Sequence, residues 1–275
     1  MSNQETLPEI ARQNPNYSLP AADVKQLTEE LLAERVPETV PEDERFITIE
    51  LGPGSRFANI GRHIEAVVFQ EVFKNDAQEM TQAYLPYEDN SRFFVSVDRI
   101  EGVPTGVLRV IGNSPAGLMT LNDAEKEPFR VSPQDVANKH DITNFDKVWD
   151  VGTVAVLPEH RSGQGPVSIQ LFRAMYVSAL SHGVEHLVSM IDDRLFKKLK
   201  GVLGIPFEPL AGSKPGPYMR SKKTHALHGD VREFYEKMSK LKLSARGRLL
   251  AKFAIGDSLE RLVEGSKDNL IFLDK

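Results

Sequence analysis

The sequence predicts a mixed α/β (α+β) fold in which helices flank one sheet, beginning near residue 46. Three observations carry that expectation. Short alternating or continuously apolar segments interleave with segments whose apolar residues recur every three to four positions. Proline and glycine stand at the ends that helices and turns prefer. The resulting order, β-α-β-β-β-α-β-α-β-β, neither segregates strands from helices nor alternates them strictly. With 275 residues, 40% apolar and 27% charged, the chain can bury a sizeable core as one large domain or two small ones.

Residues 1–45 are polar and carry Pro8, Pro15, Pro20, Pro37 and Pro41. One short helix fits 21–35, where Leu27, Leu31 and Leu32 share a face. This segment reads as an extension laid on the core or left partly disordered. "RFITIELG" (45–52) alternates as a strand, and "IGRHIEAVVFQEVFKND" (60–76) places Ile64, Val67, Val68 and Phe73 at helical spacing. "SRFFVSVDRIEGVPTGVLRVIG" (91–112) reads as a hairpin around Glu101-Gly102. Residues 112–146, with Pro115, Gly117, Pro128 and Pro133, read as a turn-rich excursion. "VWDVGTVAVL" (148–157) is an apolar run holding one carboxylate, as in a strand covered on both faces. A helix follows from Pro166 to Gly183, then a strand "VEHLVSMI" (184–191) and a short helix from Asp193 to Leu203, capped by Asp192 or Asp193. "PFEPLAG" (206–212) and "YMRSKKTHALHG" (218–229) read as the last strands of a domain spanning 46–240. A basic helical tail starts at Val231, and 241–275 form its C-terminal part.

Thirty-four Lys and Arg against 39 Asp and Glu give a formal net charge of -5, which argues against a general nucleic-acid or anionic-membrane surface. The absence of cysteine removes disulfides, thiolate metal ligands and a cysteine nucleophile. No apolar run approaches roughly 20 residues, and the N-terminus lacks a basic stretch followed by an apolar one. A cytoplasmic protein without a membrane span is the expectation. No Gly-x-Ser-x-Gly elbow is present, which disfavours a serine hydrolase.

The most informative stretch joins the 148–157 strand to the next helix: Pro158-Glu-His-Arg161-Ser162-Gly163-Gln164-Gly165-Pro166. At such a junction backbone N–H groups converge, the helix dipole favours an anion, and glycines permit close approach. Arg161 adds a fixed positive charge whose geometry matches phosphate. A phosphate or diphosphate is the natural guest. No Gly-Lys-Ser/Thr follows, so this is not a nucleotide-triphosphate loop, and a third glycine at the dinucleotide spacing is missing.

The strand-Pro-x-x-Arg-x-Gly-x-Gly-helix arrangement resembles the acyl-CoA-binding turn of the GNAT superfamily of N-acyltransferases, usually written Arg/Gln-x-x-Gly-x-Gly/Ala. Glycines 163 and 165 align when His160 takes the first slot; Arg161 in that slot puts Gln164 and Pro166 at the glycine positions. The order of elements over about residues 46–230 agrees with the same superfamily. The resemblance implies a mostly antiparallel central sheet with a splay between its fourth and fifth strands. The pantetheine of the donor would lie in that splay on backbone groups of Val154 and Val156. Its diphosphate would rest on Arg161, Ser162, Gly163, Gln164 and Gly165.

"GVLRVI" and "VWDVGTVAV" also resemble segments of acyl-homoserine-lactone synthases and the related N-acyl amino acid synthases, which carry Gly-x-x-Arg-Leu and Trp-Glu-x-Ser-Arg. Arg109 and Trp149 match, Asp150 stands in the glutamate position, and Gly152 and Thr153 replace Ser-Arg. The implied reaction moves an acyl group from an acyl-CoA or acyl-carrier-protein (acyl-ACP) thioester to the amine of a small amino-acid-like acceptor. It needs no metal. Many members protonate the leaving thiolate with a tyrosine in the helix after the fifth strand; that helix has none here. Ser189 or a water would then serve, or no protein acid is needed.

Two residues carry the candidate chemistry. A carboxylate near the attack point can accept the proton of the acceptor amine, and Asp150, flanked by Trp149 and Val151, would be desolvated and its pKa raised. The competing reading is a buried Asp150–Arg109 ion pair between adjacent strands. Arg109 could alternatively hold a carboxylate of the acceptor. His182 with His186, and His225 with His228, read as solvated or capping residues rather than metal ligands. "RSKKTHALH" and the tail cations Lys240, Lys242, Arg246, Arg248 and Lys252 read as solvated faces, or as a surface that attracts an acidic acyl carrier protein. Leu249, Leu250 and Phe253 either pack on the core or form a homodimer contact. The non-enzymatic alternative is a catalytically degenerate GNAT fold that binds acyl-CoA.

Overall fold

The computed structural model describes residues 15–35, 45–161, 167–200, 206–234, 236 and 270–271. Helix α1 (Ala21–Arg35) precedes β1 (Phe46–Leu51), α2 (Ala58–Phe73) and α3 (Ala77–Tyr84). The hairpin β2 (Ser91–Asp98) and β3 (Val103–Gly112) leads to α4 (Met119–Ala124), α5 (Pro133–His140) and β4 (Val148–Val156). Then come α6 (Val167–Ser181), β5 (His186–Asp192), α7 (Asp193–Lys198), β6 (Glu208–Pro209), β7 (Gly216–Tyr218), β8 (Ser221–Asp230) and the two-residue β9 (Leu270–Ile271).

The strands form one sheet in the order β6-β8-β5-β4-β3-β2-β1-β9, with β7 also on β8. Pairing is antiparallel except between β4 and β5 and between β1 and β9. The two-residue period of the strands divides the core. Ile47, Ile49, Phe93, Val95 and Val97 face α1 and α2, where Leu27, Leu31, Ile60 and Ile64 meet them. Phe94, Leu108, Val110 and Val151 face α6, against Leu171, Met175 and Ala179. The N-terminal extension is therefore laid on the core over 15–35.

One discontinuity positions the site. Strands β4 and β5 pair only at Val148↔His186, Trp149↔Leu187 and Asp150↔Val188. Beyond Asp150 they part: β4 continues beside β3 to Val156, and β5 continues beside β8 to Asp192. Leu157 N–H donates to the Thr105 carbonyl of the β3 side at 3.0 Å. Backbone groups alternate in direction along a strand, so those of Val154 and Val156 turn to the opposite, unpaired edge. Arg161 Nε reaches the Val156 carbonyl there at 2.9 Å.

Several local expectations need correction. The 112–146 excursion contains α4 and α5, whose Leu121, Ala124 and Val136 join Val148 and Val188 in a core of their own. The α2 helix ends at Phe73, where Lys74 takes a left-handed φ of 62°. Helix α3 follows, its start fixed by a reciprocal Asp76/Glu79 capping box. The predicted 218–229 strand breaks at Met219 and Arg220, both at positive φ, and splits into β7 and β8. "PFEPLAG" is strand only at Glu208–Pro209 and continues as a 3-10 turn, Leu210–Gly212. Helix α7 is capped by Asp192, whose carboxylate accepts from Arg194 N–H, and spans Asp193–Lys198. Residues 1–14, 36–44, 162–166, 201–205, 235, 237–269 and 272–275 lie outside the described residues, and with them the tail cations and Leu249, Leu250 and Phe253.

Candidate active site

Strand β4 carries a bulge. Arg109 of β3 faces Thr153 and Val110 faces Val151, which leaves Gly152 as the extra residue. Asp150 and Thr153 consequently share one face of the sheet with Ile111 and Arg109, while Val151 points to α6. Asp150 is the last β4 residue paired with β5, so its carboxylate stands where the strands separate.

That carboxylate is fully buried and has no cation beside it. It accepts Thr120 N–H at 2.5 Å and Thr120 Oγ1–H at 2.7 Å, both from α4. Burial pushes its pKa up to about 7, and the Thr120 hydrogen bonds oppose that rise only in part. A cleft of about 80 Å³ opens onto it, bounded by Asp150, Val151 and Gly152 of β4 and by Met190 and Asp192 of β5. Phe69 and Phe73 of α2, with Tyr84, Met119, Tyr218 and Met219, close the other walls. The Tyr84 hydroxyl donates to the Gly152 carbonyl at 3.0 Å and accepts from Thr153 Oγ1 at 2.8 Å. Tyr218 donates to Asp123 at 2.7 Å. Burial raises the pKa of both phenols, so both keep their protons. Ser189 Oγ donates to the Val151 carbonyl at 2.7 Å, bridging the strands just where they part.

The Asp150–Arg109 ion pair does not form. Arg109 is fully buried, and its guanidinium binds Glu65 of α2 through Nε (3.0 Å) and Nη2 (2.6 Å) and Glu88 through Nη1 (3.2 Å). Arg62 grips the other Glu88 oxygen at 2.6 and 3.1 Å. Tyr17, from the N-terminal extension, accepts from Arg109 and donates to Glu88 at 2.7 Å. Two arginines and two glutamates thus close a neutral buried network, and Arg109 lies beneath the Tyr84 ring, 4.0 Å from its centroid, rather than in the cleft. Its hydrogen bonds go to Glu65, Glu88 and Tyr17, and it does not line the cleft. Glu88 is held below the usual carboxylate range because Arg109 and Arg62 outweigh its burial. Sequence reading missed Glu65, Glu88, Tyr17 and Thr120; a glutamate on the apolar face of α2, one position from Ile64, was the available signal.

Arg161 lies at the exposed end of β4, with Nη1 and Nη2 on the Glu71 carboxylate at 3.1 and 2.7 Å. Ser162, Gly163, Gln164 and Gly165 lie outside the described residues. On the same face of the sheet, toward its β8–β6 edge, His186 and His228 are buried rather than solvated, and they join His140 and Glu208. His140 Nδ1, His228 Nδ1 and a Glu208 oxygen could face a metal ion. However, His140 Nε2 accepts Ala211 N–H at 2.9 Å, which leaves the ring proton on Nδ1, where it bonds Glu208 at 2.9 Å. The His140 and His228 rings stack at 3.9 Å, and both Nδ1 atoms face the same Glu208 oxygen, at 2.9 and 3.5 Å. Burial and the two neighbouring rings push His228 down to about 3. This is a hydrogen-bonded cluster of neutral rings.

A sheet of this order, parting after the parallel contact of its fourth and fifth strands, is the GNAT-like fold. No family model and no curated protein sequence matches the chain. Among solved structures it is similar to FeeM, an N-acyl amino acid synthase from uncultured soil microbes, with 14% identity and a TM-score of 0.52 over 70% of this chain and 95% of that one. It is also similar to BjaI, a CoA-dependent acyl-homoserine lactone synthase solved with SAM and isopentyl-CoA, with 12% identity and a TM-score of 0.48 over 84% and 94%. Among the described residues no helix is long and apolar enough to cross a membrane.

Proposed function

We propose that the protein is an N-acyltransferase that takes an acyl group from an acyl-CoA or acyl-carrier-protein thioester and forms an amide with a small amino-acid-like amine. The observation that carries this reading is the uncompensated buried carboxylate of Asp150 at the point where β4 and β5 part. The pantetheine would run along the open edge, on the backbone groups of Val154 and Val156. Arg161 would exchange Glu71 and the Val156 carbonyl for the diphosphate, a shift its partly exposed side chain can make. The diphosphate would reach Ser162, Gly163, Gln164 and Gly165 at the same end.

In the cleft the amine nitrogen attacks the thioester carbonyl and gives its proton to Asp150. The tetrahedral adduct then collapses, the C–S bond breaks, and the proton returns from Asp150 to the departing sulfur, directly or through a water. Amide and free thiol are the only products, so no additional acid is required. Arg109 is a positioning residue: it holds Glu65, Glu88 and Tyr17 behind Tyr84, and Tyr84 holds the Gly152 bulge. Because the chain contains no cysteine, thiol release can be read directly with a thiol reagent. Incubation with medium-chain acyl-CoA or acyl-ACP should release thiol only when an amine is supplied. Donor binding without release would identify a binding module, and release independent of amine would identify a thioesterase.

A further inference from the structure

We infer that the acceptor is an amine on an apolar or aromatic body whose carboxylate is absent or masked as an ester, amide or lactone. This rests on the N-acyl-transfer reading and narrows its substrate. The cleft presents two carboxylates, Asp150 and Asp192, and among the described residues no lysine or arginine lines it. The remaining polar side-chain atoms of the lining are hydroxyls, and several of these are already donating: Thr120 to Asp150, Ser221 to Asp192 and Tyr218 to Asp123.

Three cations packed close to the cleft are engaged. Arg109, under Tyr84, is neutralised by Glu65 and Glu88. Arg220, next to the lining residue Met219, binds Glu79 and the Lys74 carbonyl. Lys223 pairs with Asp193 at 3.0 Å. A free α-carboxylate entering here would be desolvated beside two acids with no counter-charge among the lining residues, a placement proteins avoid. An amine meets the opposite field: Asp192 attracts it while it is charged, the ammonium sheds its first proton to solvent, and Asp150 takes the second on attack. Phe69, Phe73, Met119, Met190 and Met219 supply apolar surface, and the methionines can adapt to irregular shapes.

The test compares phenethylamine, phenylalaninamide and phenylalanine as acceptors for octanoyl-CoA with the full chain. Thiol release should give the amine and the amide a kcat/KM at least about 100-fold above that of the amino acid. Asp192→Asn should shrink that ratio about tenfold. A free amino acid used as well as its amide overturns the inference and leaves acyl transfer standing. If no acceptor releases thiol from octanoyl-CoA or octanoyl-ACP, the acyl-transfer reading falls, and calorimetric titration of the same compounds decides this point separately. Preferential binding of phenethylamine sustains the inference; equal, reversed or absent binding overturns it.

Discussion

Asp150→Asn separates the base from the architecture around it. The amide is isosteric, and it can accept Thr120 N–H while donating to Thr120 Oγ1, so both contacts survive. The carboxyl titrates at about 7 in the folded chain against an ordinary 3.8. Three units correspond to about 4 kcal/mol. The sign follows from proton binding: between about pH 4 and 7 the folded chain keeps a proton that the unfolded chain has released. Stability from this group is therefore full below about pH 4, falls as pH rises through the window, and is flat above it. Urea unfolding of both chains should show the variant gaining on wild type by about 4 kcal/mol between pH 4 and 8, since every other titrating group cancels in the difference. Wild-type kcat/KM should rise with an apparent pKa near 7. The variant should lose that inflection and at least about 100-fold of turnover while keeping its affinity for the donor. A stability difference that does not change with pH would refute the buried, uncompensated carboxylate. An unchanged rate would refute its role as base.

Arg109→Met leaves Glu65 buried without a cation, while Arg62 still holds Glu88, and should cost about 3–5 kcal/mol in urea or thermal unfolding. Adding Glu65→Gln should return part of that loss, which distinguishes a charge effect from packing. Arg161→Ala should weaken CoA binding by calorimetry more than it slows turnover at saturating donor, and an unaltered Kd would remove the diphosphate from this end of β4.

Local pattern made the sheet legible where one face is buried and the strand is long. The alternation of "RFITIELG" and the Glu101-Gly102 turn fix β1 and the β2–β3 hairpin, and Gly102 indeed takes a φ of 64°. Helix α3 was invisible to periodicity because it buries only Met80 and Tyr84. Its Asp76-x-x-Glu79 box was the usable sign, as Ser132-Pro133-x-Asp135 was for α5. The site divides in the same way. A carboxylate inside an apolar run marks Asp150 unaided. Thr120 stands 30 residues away, and Tyr17 is 92 residues from Arg109, so neither partner leaves a trace in local spacing. The Asp150–Arg109 pair fails because Glu65, Glu88 and Tyr17 take the guanidinium, from 44, 21 and 92 residues away.

That bulge and the neutral network together account for the chemistry assigned to Asp150. Arg109 and Asp150 occupy the same face of adjacent strands, one alternation apart. Had the guanidinium reached Asp150, it would have lowered the carboxyl by about 1–3 units and left a weak base at neutral pH. Glu65 and Glu88 take its hydrogen bonds instead, and the Tyr84 ring lies over it. Tyr84 then spends its own proton on the Gly152 carbonyl that the bulge turns out of the ladder. A side chain at 152 would meet Ile111 at 3.3 Å and the Tyr84 ring at 3.4 Å, so glycine lets this contact close without displacing either. The buried cation is thus spent one layer behind the cleft, and the carboxylate buried at its floor keeps the pKa near 7 that the proposed proton transfer from an amine calls for.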